Sequence, residues 1–279
     1  MKTILRGSGT EIVIGPAYPL VLIGTRIDAA SERLGDAIRR LDLSRVQAEA
    51  RAQATEGAEV IAVQACAGGI DQVRVLPALV QAVAEAVPLP VCILTENPLA
   101  LAPALEACPG RALVGSISGK AVALNELLPL ASARGAAVIA TAMDDSGLPR
   151  CFDDRIELMR NVLRAAILAG VPRGDVILNP GLEPLADDPA AAVIYLRAAA
   201  HLARIEQLNV AAEPQAVDGL WQDEEAGRML LALGARAGVT CALGDPAVLS
   251  GSARAIDQVL ERPGAAERRQ TLLARAGWK

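Results

Sequence analysis

The chain has 279 residues, of which 52% are hydrophobic and 2% aromatic, and its formal net charge is -5. This length suits one large domain of alternating strands and helices, with a core built from Ala, Val, Leu and Ile. The acidic balance, without a basic stripe interleaved with aromatic residues, excludes a nucleic-acid partner. No apolar stretch approaches the roughly 20 residues needed to cross a bilayer, so no membrane association is expected.

The cysteines and the N-terminus together predict a cytoplasmic protein. Five cysteines are scattered without a CxxC pair, which is typical of reduced thiols. The first residues carry no signal-peptide apolar region followed by a small-residue cleavage site. Cys92 and Cys241 fall inside apolar runs and are expected in the core, whereas Cys66 is better placed to contact a ligand.

Apolar runs recur along the chain at the spacing of strands. The first two, TEIVIG and YPLVLIG, predict a small strand pair followed by the first long-range strand. Further short runs rich in aliphatic residues follow at regular intervals. The predicted long-range strands cover residues 20–24, 59–63, 90–94, 111–115, 136–141, 175–178, 208–212 and 239–243.

A helix is predicted after each long-range strand. One begins with Asp42 or Ser44 as its cap and ends at Gly57, and another begins with Asn97 as cap and Pro98 at its first position. The helices are expected within residues 42–58, 71–87, 97–108, 125–135, 152–170, 188–208, 223–238 and 245–262, with a short terminal helix at 263–279.

Eight strands that each precede a helix favour a closed (β/α)8 TIM barrel, and the simplest organisation is a single domain over residues 1–279. A doubly wound open sheet is the alternative. Its usual glycine-rich phosphate loop is missing, because the first strand is followed by GTRIDAASERLG. In a barrel the ligand site lies at the C-terminal ends of the strands, so candidate residues are sought there.

The strand ends are rich in amides and carboxylates, and they exclude several chemistries. The single histidine, His201, lies inside a predicted helix and is expected to be structural. One histidine and dispersed cysteines give no zinc site, and no GxSxG motif is present. For Asp144 and Asp145, shaping the turn MDDSGLP is favoured over binding magnesium. No metal site is therefore predicted.

The segments LIGTRID, RALVGSISGK and ARGAAVIATAMDDSGLP stand at strand ends along the chain. They are similar to GERIN, LINSVSGE and GA.VIALTMD..GIP, which are motifs of the pterin-binding barrel family that contains dihydropteroate synthase. The chain resembles this family, and more closely its methyltetrahydrofolate:corrinoid methyltransferases. The resemblance runs from about residue 20 to 260. It implies a tetrahydrofolate-type pterin as substrate, cobalamin carried on a partner corrinoid protein, and a homodimer.

Most polar anchors of the family are replaced in this chain. The two carboxylates that hold the pterin ring correspond to Leu94 and Asn179, and an asparagine at the fourth-strand end corresponds to Gly115. Two further family asparagines correspond to Gln64 and Gln215, the latter near the methyl-bearing nitrogen. Each donor left without its acceptor costs about 1–3 kcal/mol, so pterin binding must rest partly on other residues.

Position at the strand ends and the family resemblance together select the candidate site residues. Gln215 and Asn179 are the predicted catalytic residues. Residues predicted to bind the substrate are Arg26, Gln64, Thr95, Asn97, Ser116, Met143 and Asp145.

Three functions are compatible with these features. The first is methyl transfer between a tetrahydrofolate-type pterin and a corrinoid protein. The second keeps one-carbon chemistry but changes the ligand, because an acidic rim suits a cationic or amide-bearing substrate. The third is a non-catalytic subunit that binds a corrinoid or partner protein.

Overall fold

The computed structural model describes residues 1–182, 191–214 and 224–262. Eight parallel strands close into a barrel in which neighbours follow chain order and the last strand pairs with the first. The predicted (β/α)8 barrel is therefore confirmed. A two-stranded antiparallel hairpin precedes it, made of β1 (Thr3–Arg6) and β2 (Glu11–Ile14). The barrel strands are β3 (Val21–Asp28), β4 (Val60–Gln64), β5 (Val91–Leu94), β6 (Leu113–Ile117), β7 (Ala137–Thr141), β8 (Val176–Asn179), β9 (Asn209–Ala212) and β10 (Cys241–Gly244).

Helices cover the outside of the barrel. In chain order they are α1 (Gly35–Arg39), α2 (Leu43–Glu56), α3 (Gln72–Ala86), α4 (Pro98–Ala107), α5 (Leu128–Ala133), α6 (Phe152–Leu168), α7 (Ala191–Arg204), α8 (Glu224–Ala237) and α9 (Pro246–Val259). The expected terminal helix lies outside the described residues, so a single domain over the whole chain stays a prediction.

Gly57 and Asn97 end and begin helices as predicted, whereas Asp42 precedes α2 without a side-chain capping hydrogen bond. Gly57 ends α2 in the left-handed region, with φ of 114°, a conformation that glycine adopts without steric cost. The Asn97 side chain accepts a hydrogen bond from the Leu99 N–H and so caps α4. Before α5, residues Ala123–Leu127 form a π-helical turn. This wider turn precedes Pro129, which has no N–H to continue an α-helical ladder.

Apolar side chains form two separate cores. One lies inside the barrel and includes Ile23, Cys92, Ile139 and Cys241, all buried. The other fills the layer between the strands and the surrounding helices. Since parallel strands bury both faces, their sequences read as continuous aliphatic runs, which is why the strand predictions succeeded.

The hairpin closes the amino-terminal end of the barrel. Its side chains Leu5, Ile12 and Ile14 join the inner core. The Thr3 hydroxyl donates to the carbonyl of Gly174 just before β8, and Asn209 at the start of β9 donates to the carbonyl of Ile14. The carboxyl-terminal end remains as the place for a ligand.

Candidate functional site

A cavity of about 720 Å³ opens at the carboxyl-terminal ends of the barrel strands. This volume lies in the range of small-molecule sites, about 300–1,000 Å³. The position agrees with the general placement of sites in such barrels. The cavity is lined by Thr25, Asp28, Gln64, Cys66, Gln72, Leu94, Thr95, Glu96, Asn97, Ser116, Glu213, Leu243 and Gly244.

Four of the predicted substrate-binding residues meet in this cavity. Gln64 is the last residue of β4, and Ser116 lies near the end of β6. Thr95 and Asn97 follow β5, and the Thr95 hydroxyl accepts a hydrogen bond from the Asn97 N–H. These side chains lie together because each stands at or near the end of a barrel strand. Their contact with a ligand stays a prediction.

A buried amide and a carboxyl group form a hydrogen-bonded pair at the carboxyl-terminal end of the barrel. Asn179, at the end of β8, is 2% exposed and donates from Nδ2 to Glu213 Oε1 over 3.0 Å. Its Oδ1 accepts from the Gly181 N–H at 3.0 Å, which fixes the orientation of the amide. Glu213 follows β9 and lines the cavity. Glu213 was not among the predicted site residues.

The environment of Glu213 favours its neutral form. Burial raises the pKa of its carboxyl group above the ordinary value of 4.5, outweighing the opposite effect of the hydrogen bond from Asn179. Cys92, Tyr195 and Cys241 lie close enough to interact electrostatically with one another or with this carboxyl. Burial raises the pKa of each of these three groups, that of Cys241 to about 12, so all three are neutral near pH 7.

Leu94 and Gly115 form an apolar wall at the place of two polar family anchors. The two residues are partners in the register of β5 and β6. A Cβ atom on Gly115 would lie 3.0 Å from Leu94 Cδ2, which is closer than normal packing. Leu94 thus fills the room left by the missing side chain of Gly115.

Arg26 does not line the cavity, because its guanidinium group is held by carboxylates on the outside of β3. It pairs with Glu49 at 2.6 Å, with Glu56 at 2.5 Å and with Asp245 at 2.7 Å. The Arg26 side chain is 11% exposed, so this is a largely buried ion cluster. These contacts give Arg26 a structural task that joins α2 to the start of α9.

Met143 and Asp145 lie on the loop after β7 and are not among the residues that line the cavity. Both side chains are exposed. The neighbouring Asp144 shapes the turn, since its carboxylate accepts from the Ser146 N–H at 2.7 Å and its backbone pairs with Gly147. The turn function expected for this segment is confirmed for Asp144.

Other predicted features fall outside the cavity. Gln215 lies outside the described residues, so its predicted catalytic role stays a prediction. His201 lies on α7 beside Arg160 and Glu206, on the outer surface.

All five cysteines carry free thiols, with Cys66 exposed in the cavity wall. Over the described ranges, no group of three His, Cys, Asp or Glu side chains is arranged to hold a metal ion, and no helix is long and apolar enough to cross a membrane.

Several lining residues were not among the residues predicted to bind the substrate. Thr25 and Asp28 lie on the extension of β3 beyond its predicted end at residue 24. The pairing of β3 with β4 has an irregularity between Gly24 and Ile27, and β3 continues alongside β4 beyond it. No simple periodicity in the sequence predicts this irregularity. Gln72 is the first residue of α3 and directly follows the cap Asp71. This capping signal in the sequence could have identified Gln72 as a residue near the site.

Comparison with solved structures agrees with the fold. The chain is similar to dihydropteroate synthase of Xanthomonas albilineans solved with 4-aminobenzoic acid, with a TM-score of 0.73 and 14% identity, over 93% of this chain and 98% of that one. It is also similar to the Yersinia pestis enzyme solved with a pterine-sulfa conjugate, with a TM-score of 0.70 and 14% identity, over 94% of this chain and 100% of that one.

Sequence comparison identifies the family. The chain is 29% identical over 151 residues to the methylcorrinoid:tetrahydrofolate methyltransferase of Eubacterium limosum. That match covers 53% of this chain and 55% of the relative, so the chain spans about half of the relative's length. A sequence model described as "Pterin binding enzyme" matches residues 25–218, which is more than half of the chain. The protein therefore belongs to the pterin-binding enzyme family.

Proposed function

We propose that this protein transfers a methyl group between a tetrahydrofolate-type pterin and a corrinoid protein that carries cobalamin. The observation that supports this proposal is the buried Asn179–Glu213 pair at the edge of a cavity of about 720 Å³, in a barrel of the pterin-binding family. The name of the Eubacterium limosum relative points to the same chemistry.

The residues around the cavity have distinct tasks in this proposal. The pterin ring lies between Gln64 and Ser116, whose side chains offer hydrogen bonds to its polar edges. Asn179 does not line the cavity and acts through Glu213, because its amide is held by Gly181 and donates to the Glu213 carboxyl group in the lining. The role next to the methyl-bearing nitrogen belongs to Gln215 by the family resemblance alone, since this residue lies outside the described ranges. The main contribution of the protein is positioning, which brings the methyl group to the mouth of the cavity.

Calorimetric titration with methyltetrahydrofolate tests the proposal. We expect saturable binding to the wild-type protein and a loss of affinity, or of methyl transfer from methylcobalamin, in Asn179→Ala and Gln215→Ala. The matched control is Asn161→Ala, which removes an exposed amide from the outer surface of α6. Absence of binding at millimolar pterin would refute the proposed function.

One observation favours a second candidate, a one-carbon enzyme with a cationic ligand. Among the described lining residues, Asp28 and Glu96 carry carboxylates, and none has a basic side chain. By the family resemblance, Leu94 stands where a pterin edge would need an acceptor. Binding of a quaternary ammonium compound, with no binding of methyltetrahydrofolate, would select this candidate.

A second copy of the chain is the proposed partner on the outer helices. Val193 on α7 and Met229 and Leu233 on the adjacent α8 carry exposed apolar side chains. Met229 and Leu233 are four residues apart and therefore share one face of α8. Light scattering should give the mass of a dimer, and Leu233→Glu should shift it to that of a monomer.

A further inference from the structure

We propose that Glu213 is the proton-transfer residue for the heterocyclic nitrogen that carries the methyl group. This inference rests on the proposed function and adds a catalytic group to it. It starts from position: Glu213 reaches the cavity from the end of β9, and Asn179 engages its Oε1. Its second oxygen, Oε2, has no hydrogen-bond partner among the described residues that the structure places around the cavity.

The surroundings allow this carboxyl group to hold a proton. No cationic side chain forms an ion pair with Glu213 within the described ranges. The titratable groups that face it are Cys92 on β5, Cys241 on β10 and Tyr195 on α7, all neutral near pH 7. A carboxyl group that is desolvated and forms no ion pair keeps its proton to higher pH than an exposed one, which suits a general acid.

The proton balance of the step is simple. When the N5–carbon bond breaks, the methyl group passes to a reduced corrinoid on the partner, which supplies the electron pair of the new bond to carbon. The electron pair of the broken bond stays on N5 and takes the proton of Glu213. The resulting carboxylate regains a proton from water. In the opposite direction the carboxylate of Glu213 removes the proton from N5.

The orientation of Asn179 keeps the acid aimed at the ligand. Because Gly181 holds the Asn179 oxygen, the Asn179 amide can only donate to Glu213. That donation occupies one carboxyl oxygen, so the proton resides on the other, Oε2. Asn179 is thus a positioning residue for the proton of Glu213.

Glu213→Gln separates proton transfer from binding. Glutamine keeps the shape and can accept the hydrogen bond from Asn179, but it cannot give up a proton. We expect methyltetrahydrofolate to bind within about threefold of the wild-type affinity, while single-turnover methyl transfer slows by about 10²–10⁴-fold.

The wild-type transfer rate from methyltetrahydrofolate should fall as pH rises through the pKa of Glu213. This dependence should vanish in Glu213→Gln and return in part in Glu213→Asp.

The control is Glu11→Gln, a carboxyl-to-amide change on the hairpin at the opposite end of the barrel, which should leave rate and pH profile unchanged. A wild-type protein that binds no methyltetrahydrofolate overturns the proposed function, and the role of Glu213 with it. A wild-type protein that transfers methyl groups alongside an equally active Glu213→Gln variant overturns the role of Glu213 alone. Equal losses of affinity and rate would make Glu213 structural, which also overturns the proposal.

Discussion

Leu94 and Gly115 illustrate how two substitutions depend on each other. The family resemblance indicates that Gly115 replaces an asparagine and that Leu94 replaces a carboxylate. What fills the space at Gly115 could not be read from the sequence, because strand register and side-chain direction decide it. In the structure the two residues are register partners and Leu94 occupies the space. The wall is therefore one apolar unit built from two positions.

Gly115→Ala should destabilise the protein by about 1–3 kcal/mol, the usual cost of overpacking a core. The new Cβ atom would lie 3.0 Å from Leu94 Cδ2. Leu94→Ala removes the obstacle, so the double variant should be less destabilised than the sum of the two single variants. Urea denaturation of the three variants measures this coupling. Strictly additive effects would show that the two side chains do not compete for the same space.

In the absence of ligand, the pH dependence of the free energy of unfolding should reveal the titration of Glu213. Its folded-state pKa is raised above 4.5, so the folded state binds protons more tightly than the unfolded state and stability falls as pH rises through the folded-state pKa. Glu213→Gln lacks this loss. The stability of the variant relative to wild type should therefore increase between pH 4 and neutral pH, as measured by denaturant titration.

Glu206 provides a control of opposite sign. The hydrogen bond from Arg160, followed by contacts with Arg173, lowers the pKa of Glu206. Its contribution to stability is present above pH 4.5 and is lost as pH falls through the lower folded-state pKa. Glu206→Gln should be less stable than wild type at neutral pH, with a difference that shrinks in acid. The same sign for both variants would contradict the two assignments.

At the level of elements, the strand and helix order could be predicted because buried parallel strands and capped helices leave strong local signals. Asn97 shows the limit of those signals. It was predicted both as the cap of α4 and as a substrate-binding residue, and the structure confirms the cap. The side chain lines the cavity as well, so one residue serves an element and borders the site. Glu213 was not among the residues predicted to bind the substrate or act in catalysis, because its contact with Asn179 joins two elements distant in sequence.

Asn97→Ala should lower the free energy of unfolding by about 1 kcal/mol, since the Leu99 N–H loses its acceptor. Asn97→Asp keeps that acceptor and should retain most of the stability. Asp71→Ala, which removes the cap of α3, is the matched comparison at the neighbouring helix. Chemical denaturation of the three variants is the measurement. An Asn97→Ala protein as stable as wild type would show that the cap does not contribute to stability.

At the scale of the whole molecule, the ion cluster around Arg26 helps to close the barrel. Arg26 on β3 binds Glu49 and Glu56 on α2, and it also binds Asp245, which directly follows β10. β10 pairs with β3 to complete the ring of strands. The sequence places a positive residue at a strand end, but it does not say on which side of the strand that residue points. This is why Arg26 was predicted to bind the substrate.

Arg26→Met should cost about 3–5 kcal/mol, because it leaves the buried Glu49 carboxylate without its main partner. The exposed pair Arg6–Glu11 offers a comparison, and Arg6→Met should cost no more than about 1 kcal/mol. Thermal unfolding of both variants measures the difference. Equal effects would show that the cluster does not contribute more than a surface pair.

The hairpin closes the amino-terminal end of the barrel, and the cavity among the described residues opens at the carboxyl-terminal end. If the proposed function holds, the small ligand and the macromolecule that exchanges a methyl group with it use this same opening. The proposed reaction would then have a fixed order of binding, with the small ligand first. An excess of the macromolecular partner should block entry and inhibit turnover, a kinetic property that follows from hydrogen bonds at the opposite end of the barrel.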